Sequence, residues 1–382
     1  MYSSITSFIR DKFSEHENFI GLHEPRFCGN EKKYLIDAID STFVSSVGAY
    51  VNRFEQMMCE ITKAKYAIAT TNGTVALHLA LVVAGVTNHD EVITQPLTFV
   101  ATANAIKHAG GIPVFVDVDK DTMGMSPASL KEFLENQTER DREGGCINKI
   151  TKRKIKACLP MHTFGFPCRI AEIKQICSEF GIVLIEDCAE SLGSYVGKDH
   201  TGNFGLAATF SFNGNKTVTS GGGGAIITND EDFAKKAKHL STTAKVPHAW
   251  EFYHDEVGYN YRMPNLNAAL AVAQLEQLTT FLANKRDLAQ SYRLFFETRP
   301  ETFVWELKGT IANFWLNSII FENSESKNAF LKFSNENKVM TRPIWTLMNR
   351  LPVFENCQKG KLANAEYLEQ RVINLPSSFR PS

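Results

Sequence analysis

Several things are scarce in this sequence, and each shortage removes a class of function. Its 382 residues carry 41 Lys and Arg against 42 Asp and Glu, a formal net charge of -1. Charge therefore favours neither a polyanion partner nor a membrane surface. No Lys/Arg stripe with interleaved aromatics occurs, which argues against nucleic acid. The most apolar stretch, ALHLALVVAGV, is too short to span a bilayer and contains His78. The opening MYSSITSFIRDKFSEHENF mixes charges and lacks the apolar run of a signal peptide. The eight cysteines form no C-x-x-C pair and no Cys/His zinc spacing. Neither a disulfide framework nor a metal site is expected; scattered cysteines in a chain this long read as reduced thiols in a cytoplasmic protein. Internal repeats and low-complexity tracts are missing as well.

What is present is a large apolar content, 43% of residues, enough for one large domain and a smaller one. The expected division is 1–250 and 251–382. From about residue 60 to 230, short β-rich runs alternate with helical ones. YAIATT, EVITQP, IPVFVDV, IKACLPM, IVLIEDC, LAATFSF and GGAIIT read as strands, and GTVALHLALVVAG, TFVATANAIKHAG, SPASLKEFLE and RIAEIKQICSEFG as helices. Continuous apolar strands alternating with helices predict an α/β domain with a mostly parallel sheet covered on both faces. Ligands of such sheets lie beyond the carboxyl ends of the strands. The polar stretch ENQTERDREGGCINKITKRK reads as an exposed excursion rather than a basic binding patch. After residue 250, NLNAALAVAQLEQLTTFLANKRDLAQSYRLFFE reads as one long helix, and NFWLNSIIF and SKNAFLKFSNEN as a strand and helix of a smaller α+β domain.

The strand ends carry the chemistry. Asn72, Gly73 and Thr74 lie between a strand and a helix, where free N–H groups and the helix dipole favour an anion such as phosphate. An ordinary N-capped helix accounts for them equally well if they are taken alone. Phe99 follows a strand, placed either to cover a flat ring or simply to pack in the core. Glu186 and Asp187 end a buried strand; Asp187 is suited to hold a ring nitrogen protonated, or to cap the next helix. Glu190, three residues on, fits a capping box poorly and is free to face a ligand. In SFNGNKTVTSGGGG, Lys216 stands among small residues and glycines. Burial beside other cations would lower its pKa and make it a nucleophile; a solvated loop lysine on a flexible glycine turn is the plain alternative. Taken together, an anion cradle, an aromatic platform, an acid and an amine describe one cofactor. Pyridoxal 5'-phosphate has the phosphate, the flat ring, the basic nitrogen and the aldehyde to match them.

With those residues in place, the chain resembles the DegT/DnrJ/EryC1/StrS sugar-nucleotide aminotransferases, from LHEPRFCGNEKKYLIDAI through FVSSVGAYVNRFE and ATTNGTVALHLAL to INLPSSF. The resemblance implies the aspartate-aminotransferase-like fold (PLP fold type I). It implies that Asn72–Thr74 and Ser211 hold the phosphate, Phe99 stacks on the ring, Asp187 pairs the pyridine nitrogen and Lys216 is the Schiff-base lysine. His162 in PMHTFG matches a recurrent active-site histidine. VGYNYRMPNLNAAL matches a segment reaching the neighbouring subunit, which implies that Asn260 contacts the cofactor phosphate in the other site of a homodimer. Where many members carry Gln, this chain has Glu190, beside the cofactor ring. That departure, with FVSSVGAYV and KVPHAWEFYHDEV, resembles the subgroup acting on UDP-linked 2-acetamido-4-keto sugars of the legionaminic-acid and bacillosamine pathways. The implied reaction moves an amino group from glutamate to C4 of such a sugar. A dehydratase or deoxygenase, or a non-catalytic sugar-nucleotide-binding protein, is the alternative; dehydratase members replace the lysine with histidine. Arg262 and Arg342 are candidates for glutamate's carboxylates. A Rossmann dehydrogenase would need G-x-G-x-x-G after the first strand, and here GGGG precedes a strand.

Overall fold

The computed structural model describes residues 2–380. Seven strands in chain order, β1 (Tyr66–Thr70), β2 (Glu91–Thr94), β3 (Ile112–Phe115), β4 (Ile155–Leu159), β5 (Val183–Asp187), β6 (Ala207–Ser211) and β7 (Gly224–Thr228), form one sheet in the order β1-β7-β6-β5-β4-β2-β3. Pairings among β6, β5, β4, β2 and β3 are parallel; only β7 runs the other way, between β1 and β6. The strands are buried along nearly their whole length, which is why they read as unbroken apolar runs.

Twelve α-helices occur among the described residues, in chain order: α1 (Tyr2–Phe13), α2 (Glu31–Asp40), α3 (Ala49–Thr62), α4 (Gly73–Val83), α5 (Val100–His108), α6 (Pro127–Gln137), α7 (Ile170–Phe180), α8 (Glu231–Ser241), α9 (Asn265–Leu275), α10 (Leu278–Phe296), α11 (Ser324–Glu336) and α12 (Ala363–Glu369). They leave the sheet sandwiched. Phe54, Phe210, Ala268 and Val272 share one cluster, and Leu77, Ala105, Ile226 and Phe233 another. A second, antiparallel sheet orders β8 (Thr302–Phe303), β9 (Asn317–Ile320), β11 (Val372–Leu375) and β10 (Arg342–Pro343) as β8-β9-β11-β10. No helix among the described residues is long and apolar enough to cross a membrane.

Two sequence expectations are modified. The long helix after residue 264 is two, α9 and α10. At the break the Gln277 N–H bonds the Gln274 carbonyl (3.1 Å), and both glutamine side chains donate to the carboxylate of buried Glu31 (2.6 and 2.7 Å). Side-chain bonding to a third element turns the chain where the apolar pattern alone runs on. The polar excursion is also partly ordered. Thr138–Arg140 pairs with Cys146–Asn148, and Asn148 reaches inward to Glu91 (2.7 Å). Packing contacts also join the two sides of residue 250. Ile5 and Ile9 of α1 pack with Phe330 and Ile373 of the second sheet's layer, whereas α9 packs with Phe54 and Phe210 of the large one.

Candidate active site

The carboxyl ends of β1, β5 and β6 meet at a cavity of about 290 Å³. Asn72, Gly73, Thr74, Phe99 and Ser211 line it, as do Asp187, Glu190 and Lys216. Eight of the residues expected from sequence are thus brought to one hollow, although they come from four separate segments.

Each wall has a local cause. Asn72 is the N-cap of α4, with extended backbone and its Oδ1 accepting the Val75 N–H (3.0 Å). The Gly73 and Thr74 N–H groups open that helix, where no intrahelical acceptor exists. A Cβ on Gly73 would lie 2.9 Å from Ser211 Cβ, so glycine lets the helix start close against the β6 end and leaves a bare cradle of donors. Phe99 caps α5 and is half-exposed at the cavity mouth.

Asp187 ends β5, buried. Its Oδ2 accepts the Thr102 hydroxyl (2.8 Å) and its Oδ1 the Ala189 N–H (3.1 Å). Burial pushes this carboxyl up from the ordinary aspartate range, partly offset by those bonds. Thr102 itself is bonded to Thr98 (2.7 Å), so the acid is held by a relay of hydroxyls.

Lys216 sits on the loop joining antiparallel β6 and β7. Its Nζ lies 3.2 Å from Glu190 Oε1 and 3.9 Å from the centre of the Trp315 ring. The Trp315 indole N–H donates to the Asn215 carbonyl (2.7 Å), fixing the ring beneath the lysine. Glu190 is fixed from behind by the Phe164 N–H on Oε2 (2.8 Å). Burial, against the attraction of Lys216, raises the Glu190 carboxyl to about 7. The glycines beyond the lysine have a packing reason. A Cβ on Gly224 would fall 2.4 Å from the Asn72 carbonyl oxygen, so only glycine lets β7 start against the anion cradle.

His162 is placed differently from the others. It does not line the cavity. Its ring is fully buried, with Nε2 3.1 Å from Glu186 Oε2 and Nδ1 accepting the Cys168 N–H (3.2 Å). An Nδ1 that accepts leaves the ring proton on Nε2, donated to Glu186. Glu186 also receives the N–H groups of Gly202, Phe204 and Gly205. Burial alone would raise this carboxyl, and the hydrogen bonds from His162 and the backbone outweigh it and hold it low. The His162 N–H meets the Asp187 carbonyl (3.2 Å), so the histidine supports the β5 end rather than facing a ligand. Asn260 is exposed and pairs with Thr242, outside the cavity. Arg262 pairs with Thr70 through backbone. Arg342 lines a second cavity, next to the first.

Sequence reasoning missed Thr102, Trp315 and Trp345, all of which line the first cavity. Thr102, three residues after Phe99 on the same helix face, was the one with a legible signal.

The cavity fits pyridoxal phosphate on its own features. A cradle that a Cβ would fill lies opposite a buried carboxylate, with an amine and a flat aromatic beside them. Phosphate would be held by Gly73, Thr74 and Ser211, and the ring nitrogen by Asp187.

Comparison with known proteins agrees. A model of the DegT/DnrJ/EryC1/StrS aminotransferase family matches residues 27–380. A GDP-perosamine synthase of Vibrio cholerae is 38% identical over 361 residues, 94% of each chain. A putative pyridoxal phosphate-dependent aminotransferase, EpsN of Bacillus subtilis, is 35% identical, covering 94% of this chain and 90% of that one. Among solved structures, PseC of Helicobacter pylori, an aminotransferase of pseudoaminic acid biosynthesis, superposes with a TM-score of 0.84 at 23% identity, 94% of each chain. The PLP form of a putative sugar aminotransferase of Streptococcus pneumoniae gives 0.83 at 21% identity, 94% of this chain and 93% of that one.

Proposed function

Since the chain belongs to the DegT/DnrJ/EryC1/StrS aminotransferase family, and is a sugar aminotransferase dependent on pyridoxal phosphate, we propose that it transfers the amino group of glutamate to C4 of a nucleotide-linked 4-keto-6-deoxy sugar. The observation that carries this reading is the meeting of Lys216, Asp187 and the Gly73–Thr74 cradle in one cavity. Bound there, pyridoxal phosphate supplies an aldehyde for the amine and a ring that accepts electrons. The chain's own residues do the rest. Asp187, held by Thr102 and Ala189, keeps a proton on the ring nitrogen through its negative charge. Lys216 Nζ takes the α-proton of glutamate and, in the return direction, supplies the proton at C4 of the sugar. Lysine rather than histidine at 216 favours amino transfer over dehydration.

The nucleotide is the open choice. FVSSVGAYV and KVPHAWEFYHDEV favour a UDP-linked 2-acetamido sugar, whereas two relatives at 38% and 37% identity bear the name GDP-perosamine synthase. The relatives weigh more, and a GDP-linked acceptor is our preferred reading. We further propose a homodimer with sites at the interface, each receiving Asn260 from the other copy; its exposure outside its own cavity supports this.

The test is incubation of the protein, pyridoxal phosphate and glutamate with GDP- and UDP-linked 4-keto-6-deoxy sugars separately, with products weighed by mass spectrometry. The reading expects 2-oxoglutarate and an amino sugar from the GDP conjugate. Release of water without amine would move it to the dehydratases.

A further inference from the structure

Lys216 has unusual neighbours for a nucleophile. An ammonium has no lone pair, so the amine must lose a proton before it attacks an aldehyde. A second cation nearby would drive that proton off, but no other Lys or Arg among the described residues lines the cavity. What stands beside Nζ is Glu190 Oε1 at 3.2 Å and the Trp315 ring, its centre 3.9 Å away. A carboxylate and a ring face both attract a cation. A proton on this lysine therefore needs a local acceptor.

Two acids line the cavity, and only one is placed to be that acceptor. Asp187 has both oxygens engaged, Oδ2 by the Thr102 hydroxyl and Oδ1 by the Ala189 N–H. Glu190 is divided. Its Oε2 accepts the Phe164 N–H, and its Oε1 accepts from Lys216. Both side chains are withdrawn from water, Lys216 to 12% exposure and Glu190 to 1%. Such surroundings strip two opposite charges of the hydration that favours them and bring the uncharged pair, with the proton on oxygen, within reach. Burial raises the Glu190 carboxyl to about 7, which points the same way. Asp187, from the end of β5, and His23, from the N-terminal segment, are the other titratable groups felt by the pair. The charge of Asp187 favours the protonated form of Glu190. Burial holds the His23 imidazole well below the usual histidine range, so it adds no charge. Phe164 and Trp315 bring none.

We propose that Glu190 is the acid–base partner of Lys216: it takes the proton from Nζ onto Oε1 and so frees the amine to bond the cofactor's aldehyde. One N–H bond breaks and one O–H bond forms. The carboxyl returns the proton to the aldehyde oxygen, which leaves as water, and nothing is oxidised or reduced. The proton need not pass through bulk water. A constant fraction of free amine is therefore present wherever the pair shares one proton. The proposal rests on the assignment of Lys216 above and adds the group that activates it.

The experiment is stopped-flow mixing of cofactor-free protein with pyridoxal phosphate, following growth of the visible band across pH. The wild-type rate should level off above about pH 7, where Glu190 has lost its own proton and can take that of Lys216. Glu190→Gln keeps an acceptor for the Phe164 N–H but cannot hold the proton. Its lysine gives the proton to water alone, so its rate should have no plateau and should climb roughly tenfold per pH unit up to about pH 9. Glu190→Asp, a shorter acid, should keep the plateau at a lower rate. Parallel profiles in wild-type and glutamine proteins would overturn the proposal, since an ion pair that only positions the lysine predicts them. Should the glutamine protein fail to fold, which circular dichroism reports, the wild type still decides: a tenfold climb per unit without a plateau overturns the proposal. Failure of the Lys216 assignment looks different, because Lys216→Ala would then develop the same band.

Discussion

The wall around Lys216 and the strap of residues 245–258 are built on opposite rules. At the wall, charged groups are buried and each has a fixed partner: Asp187 on Thr102 and Ala189, Glu190 on Phe164 and Lys216, Glu186 on His162. On the strap, apolar groups are exposed. Trp250 is 78% accessible, Phe252 83% and Val257 86%, and the segment is pinned by its polar groups, Lys245 pairing with His254 and Asp255 with His239 of α8. Monomers seldom leave such side chains together in water. The charged groups of the wall find their partners within one chain, whereas the strap has the composition of a surface awaiting a partner. The contrast separates what one chain does alone from what a second copy is proposed to add.

The sharpest way to break the contrast is at the wall. Lys216→Ala should lower amino transfer by about 10³-fold or more, since no other amine among the described residues lines the cavity to move the proton; steady-state release of 2-oxoglutarate measures it. The strap comes next. Replacing Phe252 and Val257 together by serine should shift sedimentation toward monomer, loosening association by about 2 kcal/mol, roughly thirtyfold. Unchanged sedimentation would mean that the strap faces water by design.

Smaller effects lie behind the wall. Buried Lys285 donates to the carbonyls of Phe314, Trp315 and Ser377 (3.3, 3.1 and 2.7 Å). It thereby ties the Trp315 segment to the stretch that follows β11. Lys285→Met leaves those acceptors without their donor, and stability in urea should fall by about 1–3 kcal/mol. The least effect concerns pH. Burial raises Glu190 from 4.5 to about 7 in the folded protein. A raised carboxyl contributes stability that is full below the unfolded value and lost as pH rises through the folded one. The urea midpoint of cofactor-free protein should therefore drop between about pH 5 and about pH 8, and Glu190→Gln should flatten that slope.

How much of this was legible in the sequence follows the same division. Asn72, Gly73, Thr74 and Asp187 were readable because they stand at or just beyond the end of a largely apolar strand, and Lys216 because its loop follows another; parallel sheets gather such positions at one edge. The glycines after Lys216 looked like a flexible turn; in the structure Gly224 is required by the nearness of Asn72, a contact between residues far apart in the chain. Trp315 and Trp345 were hidden for the same reason. Each belongs locally to an ordinary apolar run, and only tertiary packing turns it toward the lysine. His162 shows the converse. Its motif marked the right neighbourhood, but the ring turns inward to Glu186, which no local pattern announces. The break between α9 and α10 depends on Glu31, more than two hundred residues away.

The central claim is that one chain's carboxyl-edge wall binds pyridoxal phosphate through Lys216 and accepts the amino group of glutamate there. The most direct measurement is the visible absorption spectrum of the purified protein with pyridoxal phosphate, before and after glutamate. The account predicts a yellow band that glutamate bleaches and that Lys216→Ala lacks. A band that persists unchanged in Lys216→Ala, or no band in the wild-type protein, would contradict it.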